Sequence, residues 1–448
     1  MTPGARVHAA ATLLAEIFTA WESPQRIPAD KLIDKFFKAR RYMGSKDRAY
    51  IGEMVYWCLR HLASLQWHVK NHLPQNTQDA RTILLAALIL RRQYDARTIE
   101  QITQGKFALP QLDDQEKRLC HELATQEVTR AAMPHPVRFN YPGWLQDTLQ
   151  HGLGNDCDAI LESLNQQAPT DLRVNTLKTT REKLESELKR EQFDVTPTPI
   201  SPLGLRLSKR APIFNSALFR DGQFEVQDEG SQMVARLVDA QPGHRVIDFC
   251  AGAGGKTLAI AADMQNKGRI LAWDTSEKRL SQIHRRLKRA GVDNVETHTL
   301  ASENDAFIKR HKYTADRVLV DVPCSGTGTW RRNPDLKWRF TPGDLEQLTR
   351  IQHSILRSAA RLVKPGGRLI YATCSILKEE NEKQIENFLV DMSDFRVVCA
   401  QKIWDKGSLD TDSDPVSYLW VTPHHDGVDG FFAAVLERQE GNKKAGGS

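Results

Sequence analysis

The sequence predicts an α/β protein with a mostly parallel sheet, preceded by an all-α domain and a small α+β module. From Val226 onward, short β-branched segments alternate with helical ones, which is typical of parallel strands joined by helices. Residues 1 to about 130 show helical spacing and no convincing strand, and a β-α-β pattern lies between the two regions. We therefore expect domains at residues 1–135, 142–224 and 225–440.

Composition excludes several classes of protein. The 448 residues are too many for one ordinary core, and 26% charged with 40% hydrophobic residues is a globular composition. Because the sequence has no run of eighteen apolar residues and no secretory signal pattern, we expect a cytoplasmic protein without a membrane partner. The seven cysteines form no CxxC pair and no Cys/His cluster, so neither a disulfide framework nor a metal site is predicted.

The net charge of +6 lies in the N-terminal third. Residues 1–140 contain 20 Lys and Arg against 14 Asp and Glu, whereas the remainder contains 42 of each. A basic segment ahead of a neutral body suggests a polyanionic partner such as nucleic acid. An excess this small is also common on a solvated surface, so charge alone leaves both interpretations open.

The C-terminal region supplies the strands of the predicted sheet, at residues 244–249, 269–273, 295–300, 317–322, 368–373, 395–398 and 430–436. Its clearest helix covers residues 345–362. The small module is predicted from a strand at 171–177, a helix at 181–191 and short strands around 200–207. Its Lys209, Arg210 and Arg220 could meet phosphates, although isolated surface basic residues usually meet only water. Residues 441–448 show no pattern and are expected to be disordered.

A glycine-rich turn follows the first of these strands and reads Cys250-Ala251-Gly252-Ala253-Gly254-Gly255-Lys256-Thr257. A P-loop would need glycine at 250, and a dinucleotide fingerprint would need glycine at 257, so both nucleotide sites are excluded. Asp248, followed four and six positions later by glycines, instead matches the first motif of class I S-adenosylmethionine-dependent methyltransferases. Asp274 ends the second strand, where a carboxylate can take ribose hydroxyls.

Two strands are each followed by a cysteine. The apolar run 318–320 leads to Asp321 and Cys324, and residues 368–373 lead to Cys374. If these strands are adjacent and parallel, both thiols lie at one edge of the sheet, where open α/β sheets bind their ligands. A lone cysteine is usually an inert core residue, but a pair of thiols with a carboxylate beside a methyl donor favours chemistry.

That chemistry is methylation of cytosine at carbon 5, which is not nucleophilic by itself. A thiolate that adds to carbon 6 makes carbon 5 an enamine carbon able to take a methyl group. A carboxylic acid that shares a proton with ring nitrogen 3 would stabilise the addition. A second acid or base is then needed to remove the carbon 5 proton and release the product.

The motifs Asp321-Val-Pro-Cys-Ser-Gly-Thr-Gly328, Ala372-Thr-Cys-Ser375 and Asp429-Gly-Phe-Phe432, with the glycine-rich turn, resemble the RsmB/Sun/Nop family of RNA cytosine carbon-5 methyltransferases. This resemblance implies a class I methyltransferase fold, a Rossmann-like, mostly parallel seven-stranded sheet. The stretch from Lys46 to Arg60 also resembles the NusB-like RNA-binding domain that precedes some members, in particular those acting on bacterial 16S ribosomal RNA.

The family resemblance implies a role for each matching residue. Cys374 would be the nucleophile, Cys324 would promote product release, and Asp321 would contact substrate and cofactor. S-adenosylmethionine would be held by Asp321 together with Cys250, Ala251, Gly252, Ala253, Gly254, Gly255, Lys256 and Asp274. The implied partner is RNA, ribosomal RNA or else transfer RNA, and we expect a monomer without a metal.

The chain departs from the family pattern in two places. Gly252 and Ala253 replace the usual Ala-Pro of the turn. The acid that the family places near the adenine falls on Ser302, so Glu303 or Asp305 is the candidate substitute.

Residues 330–340 join the two cysteine motifs in a basic segment interleaved with aromatic residues. Such a loop is typical of single-stranded RNA binding, which we favour. The alternative is that Trp338 and Phe340 are core residues. A non-catalytic RNA-binding assembly factor is a further alternative for the whole protein, and retention of both thiols and Asp321 argues against it.

Overall fold

The computed structural model describes residues 1–73, 75, 79–404 and 417–440. It divides into two compact units: residues 1–166 with 330–341, and residues 167–329 with 342–448. The unpatterned residues 441–448 lie outside the described part of the chain. Among the described helices, none is both long and apolar enough to cross a membrane.

The described residues of the first unit form helices and the turns that join them. Its helices are α1 (Pro3–Glu22), α2 (Ala29–Ala39), α3 (Ser45–Arg60), α4 (Leu62–His72), α5 (Ala80–Leu90), α6 (Ala96–Ile102), α7 (Asp114–Leu123), α8 (His135–Arg138), α9 (Gln146–Leu153) and α10 (Cys157–Leu164). Aspartates begin three of them: the side chains of Asp79, Asp95 and Asp113 each accept a backbone N–H of the first turn. Helix α5 is the centre of the core, because every residue from Ala80 to Leu90 except Arg81 is buried.

A small antiparallel sheet begins the second unit. It contains β1 (Thr170–Val174), β2 (Val195–Pro197), β3 (Gly204–Leu207) and β4 (Phe224–Val226), in the order β2-β3-β1-β4. Helices α11 (Arg181–Arg190) and α12 (Ala217–Arg220) belong to the same region. The strand expected at 171–177 ends at Val174. The next residue, Asn175, forms a turn in which its side-chain oxygen accepts the backbone N–H of Leu177.

The large sheet has seven strands in one path, as predicted. They are β5 (Arg245–Asp248), β6 (Arg269–Asp274), β7 (Val295–Thr299), β8 (Ala315–Asp321), β9 (Val363–Thr373), β10 (Phe395–Val398) and β12 (Phe431–Arg438), in the order β10-β12-β9-β8-β5-β6-β7. A short strand that the sequence did not predict, β11 (Leu419–Val421), pairs with β12. Strands β5 to β9 are parallel, and β12 runs antiparallel to β9. This is the mostly parallel, Rossmann-like sheet that the sequence predicts.

Helices cover both faces of this sheet. They are α13 (Glu229–Leu237), α14 (Gly255–Asp263), α15 (Glu277–Leu280), α16 (Ile283–Ala290), α17 (Ala306–Lys309), α19 (Pro342–Ala360), α20 (Glu382–Asp391), α21 (Ala400–Trp404) and α22 (Pro423–Asp426), while α18 (Leu336–Arg339) belongs to the first unit. Successive strand residues enter different cores: Val246 and Leu319 belong to one apolar cluster, and Ile247 and Val320 to the other. Burial on both faces explains why these strands are continuously apolar.

Candidate active site

The candidate site lies at the carboxyl ends of β5 and β8, the two strands in the middle of the large sheet. From β5 the chain builds the sheet outward through β6 and β7, and from β8 it builds in the opposite direction through β9. A crevice forms where the direction of building reverses, and open α/β sheets bind ligands in it. An open cleft of about 620 Å³ at this point is lined by the turn after β5 and by Asp321 at the end of β8.

The turn after β5 needs glycine at two positions. Gly252 has φ +55°, and a Cβ there would lie 2.5 Å from the Arg279 guanidinium. Gly254 has φ +82°, and a Cβ there would lie 2.3 Å from the Ile283 side chain. Asp274, at the end of β6, fixes the turn because its carboxylate accepts the Gly252 N–H at 2.8 Å. The aspartate predicted to meet a ribose therefore also holds the glycine turn in place.

Asp248 ends β5 as a buried carboxyl group. One oxygen accepts the Thr257 hydroxyl at 2.7 Å, and the other, Oδ1, has no hydrogen-bond partner among the described residues. Burial raises the pKa of Asp248 to about 7, against the Thr257 hydrogen bond, which lowers it. The cleft thus has an unused acceptor in its wall.

Lys256 and Asp321 form an ion pair across the cleft, between Nζ and Oδ2 at 2.7 Å. Burial lowers the pKa of Lys256, but the charge of Asp321 and its hydrogen bond outweigh burial, so the net shift is upward. The pair joins the turn after β5 to the end of β8.

Strands β8 and β9 are adjacent and parallel, with Asp321 opposite Ala372. Their carboxyl ends bring the Sγ atoms of Cys324 and Cys374 to 3.3 Å from each other, within hydrogen-bond distance. The hydrogen bond with Cys374, followed by burial, raises the pKa of Cys324 well above its usual range. Cys324 is therefore a protonated thiol in this arrangement.

A buried glutamate that the sequence analysis missed holds the two cysteine segments together. Glu380 accepts the backbone N–H of Ser325 at 2.8 Å, the hydroxyls of Ser325 and Ser375, and the amide of Gln352 at 2.9 Å. Each serine directly follows one of the cysteines. Glu380 stands in a run of seven charged or polar residues, 378–384, so nothing in the sequence alone distinguished it.

Comparison with known proteins places this site in a family. The model described as 16S rRNA methyltransferase RsmB/F matches residues 235–437, and one described as its ferredoxin-like domain matches residues 141–214. The ribosomal RNA small subunit methyltransferase B of Pectobacterium atrosepticum is 31% identical over 413 residues, 89% of this chain and 92% of that protein. A probable enzyme of the same name from Synechocystis is 36% identical over 303 residues, 67% of each chain.

The chain belongs to the RsmB/F methyltransferase family. The crystal structure of PH0851 agrees, with a TM-score of 0.77 and 26% identity over 98% of this chain and 99% of that one. The predicted family and the predicted Rossmann-like fold are thus confirmed, and the protein is a methyltransferase.

The residues at the family's adenine position have other partners in this member. Asp305 begins α17, and its carboxylate accepts the backbone N–H groups of Ala301 and Phe307. Glu303 accepts the Ser354 hydroxyl at 2.8 Å. The structure therefore does not single out Glu303 or Asp305 as the replacement for the acid that the family pattern has where this chain has Ser302.

The expectation that residues 330–340 form an RNA-binding loop is wrong for the five residues of this segment that are buried. This segment belongs to the helical unit, where Trp330, Arg331 and Lys337 are buried. The Trp338 indole N–H donates to the Leu59 carbonyl at 2.7 Å. The aromatic residues of the loop are packing residues, which a single sequence cannot separate from stacking residues because both classes use the same side chains.

Two arginines hold the glycine turn of this RsmB/F member from the side of the small sheet. Arg173 of β1 donates to the Gly255 carbonyl at 2.8 Å, and Arg286 of α16 donates to the Ala253 carbonyl at 2.6 Å. Arg286 also pairs with Glu225 at 3.0 Å, and Glu225 lies opposite Arg173 in the β1–β4 ladder. The small sheet thus fixes the conformation of the turn that lines the cleft.

Proposed function

We propose that the protein transfers a methyl group from S-adenosylmethionine to carbon 5 of a cytosine in 16S ribosomal RNA, through a covalent cysteine–cytosine adduct. The observation that carries this proposal is the thiol pair at 3.3 Å, at the sheet edge that also forms the cleft. One thiol alone could add to the base, but removal of the carbon 5 proton requires a second group close by.

The cleft fits the methyl donor. S-adenosylmethionine carries an ammonium and a sulfonium, and the carboxyl groups of Asp248 and Asp321 line the cleft, where Asp321 also accepts from the Lys256 ammonium. We propose that the turn from Cys250 to Lys256, with Asp274 and Asp321, holds this cofactor, which supplies an electrophilic methyl group when bound.

The residues of the chain then act in sequence. The Cys374 thiolate forms a bond to carbon 6, and the electron pair of the 5,6 double bond makes carbon 5 nucleophilic. Asp321, protonated for this step, gives its proton to ring nitrogen 3 and takes it back when the double bond forms again. Once carbon 5 carries the methyl group and Cys374 is a thioether, Cys324 gives its proton to solvent and becomes the base. Its thiolate takes the carbon 5 proton, the electron pair of that C–H bond restores the double bond, and Cys374 leaves as a thiolate.

The substrate assignment rests on the relatives. The Pectobacterium protein that matches 89% of this chain bears the name of a small-subunit ribosomal RNA methyltransferase. We propose the same substrate class here, and a division into a NusB-like RNA-binding domain at 1–135, an RNA-binding module at 142–224 and a methyltransferase domain at 225–440.

The test supplies the purified protein with S-adenosylmethionine and, in parallel, 16S ribosomal RNA, small-subunit particles or transfer RNA, followed by nucleoside analysis. We expect 5-methylcytidine in ribosomal RNA from the wild type and none from Cys374→Ala. Product from Cys374→Ala would show that the nucleophile is misassigned, and product in transfer RNA alone would redirect the substrate. A wild type that binds no S-adenosylmethionine in calorimetry would instead favour an assembly factor.

A further inference from the structure

The connection between β3 and β4 presents an exposed aromatic ring among positive charges. Residues 208–220 contain Lys209, Arg210 and Arg220 and no acidic residue. All three basic side chains are exposed, and none forms an ion pair within the described part of the chain. Phe214, between them, is 60% exposed. A single exposed aromatic residue needs no explanation by itself, but here it lies between three exposed basic side chains.

The ring is held in place by the layer beneath it. Phe219 meets Phe214 edge to face with centroids 5.0 Å apart, and Phe219 in turn lies 5.5 Å from Phe224 of the small core. The Arg289 guanidinium covers Phe219 at 3.9 Å. Phe214 therefore lies on a packed base of side chains, with its outer surface free to receive a flat ligand.

The nearby acids reduce the positive charge without cancelling it. Glu225 is paired with both Arg286 and Arg289. Glu191, which accepts the Ser216 hydroxyl, and the exposed Asp221 are two acidic residues beside three basic ones. Arg210 is four residues from Phe214, which places their backbones within about 14 Å of each other. Base stacking on an aromatic ring flanked by cations at such distances is the way proteins hold single-stranded nucleic acid.

We propose that residues 208–220 form a docking surface for an unpaired stretch of the substrate RNA, with one base stacked on Phe214 and the flanking phosphates bound by Lys209, Arg210 and Arg220. This proposal rests on the proposed RNA substrate and names the surface that holds it outside the catalytic cleft. An acidic peptide is disfavoured, because it would use the charges but leave the ring without a partner.

The experiment measures binding of full-length protein to a fluorescein-labelled twelve-nucleotide oligocytidylate by anisotropy, at several salt concentrations. We expect Phe214→Ala to weaken binding about fivefold or more, and Phe214→Trp to restore it. Arg210→Glu with Arg220→Glu should weaken binding and flatten its salt dependence. Tyr313→Ala is the matched control, because Tyr313 is 47% exposed but lies outside the two proposed RNA-binding regions.

Equal binding by wild type and Phe214→Ala would overturn the surface, as would equal losses in the Phe214 and Tyr313 variants. If fluorescein-labelled polyglutamate binds and oligocytidylate shows no measurable binding, the surface would be assigned to an acidic protein instead. Calorimetric S-adenosylmethionine binding should be unchanged in Phe214→Ala, which shows that the variant is folded. If the wild type binds RNA through Phe214 but forms no 5-methylcytidine, the proposed function fails while the surface stands.

Discussion

The Sγ atom of Cys324 lies 3.3 Å from the Sγ atom of Cys374, although fifty residues separate the two cysteines in the chain. Adjacent parallel strands create this contact, because the carboxyl ends of β8 and β9 share one edge of the sheet. The hydrogen bond with Cys374, together with burial, raises the pKa of the Cys324 thiol.

Substituting Cys324 should trap the reaction after methyl transfer. In Cys324→Ala the adduct can form through Cys374, but the group that removes the carbon 5 proton is missing. We expect a covalent protein–RNA species that migrates slowly in a denaturing gel and requires S-adenosylmethionine. The double variant with Cys374→Ala should show no such band, and a Cys324→Ala protein that turns over normally would contradict the release role.

Glu380 should act as a positioning residue for both cysteines. Glu380→Ala leaves the Ser325 N–H and two serine hydroxyls without their acceptor, which we expect to cost about 3 kcal/mol of unfolding free energy. Its kcat should fall more than tenfold, with little change in KM. Glu380→Gln should retain most activity. The glutamine oxygen can still accept from the Ser325 N–H and the Gln352 amide, and the glutamine NH₂ group can donate to the two serine hydroxyl oxygens once those hydroxyls rotate. Equal activity in both variants would argue against positioning.

Arg286 should support cofactor binding through the Ala253 carbonyl. The matched control is Arg289, which lies on the same helix and pairs with the same Glu225, but whose contacts do not include the glycine turn. We expect Arg286→Ala to weaken S-adenosylmethionine binding about tenfold in calorimetry, and Arg289→Ala to change it less than twofold. Similar losses in the two variants would mean that the ion pair with Glu225, and not the contact with the turn, matters.

The buried Asp248 predicts a pH dependence of stability. Its pKa is about 7 in the folded protein and near the ordinary 3.8 when unfolded, so the native state binds the proton more tightly. The contribution of this group to the free energy of unfolding is largest below pH 4, and it is lost as the pH rises to about 7. In Asp248→Asn the free energy of unfolding does not decrease for this reason.

Urea unfolding of both proteins at pH 5 and pH 8 tests the prediction for Asp248. The advantage of Asp248→Asn over the wild type should grow toward pH 8, by an amount on the order of a few kcal/mol. A difference between the two proteins that does not change with pH would show that Asp248 does not titrate in this range.

The sequence by itself determined the fold class and the identity of the motif residues. The large sheet followed from apolar strand segments that alternate with helices, since burial on both faces leaves a strong local pattern. The site residues could be identified for a similar reason, because each lies at the end of a predictable strand or shortly after it. They are the glycine turn, Asp248, Asp274, Asp321 and the two cysteines.

Only the tertiary structure decided what surrounds these residues. The Glu380 contacts, the hold of Arg286 on the glycine turn and the packing of Trp338 against Leu59 all join residues far apart in the chain. A hydrogen bond between distant residues leaves no periodic signal in a single sequence, because the partners need only the right chemistry and position. For the same reason, a basic aromatic segment could be assigned to RNA or to packing only once its neighbours were known.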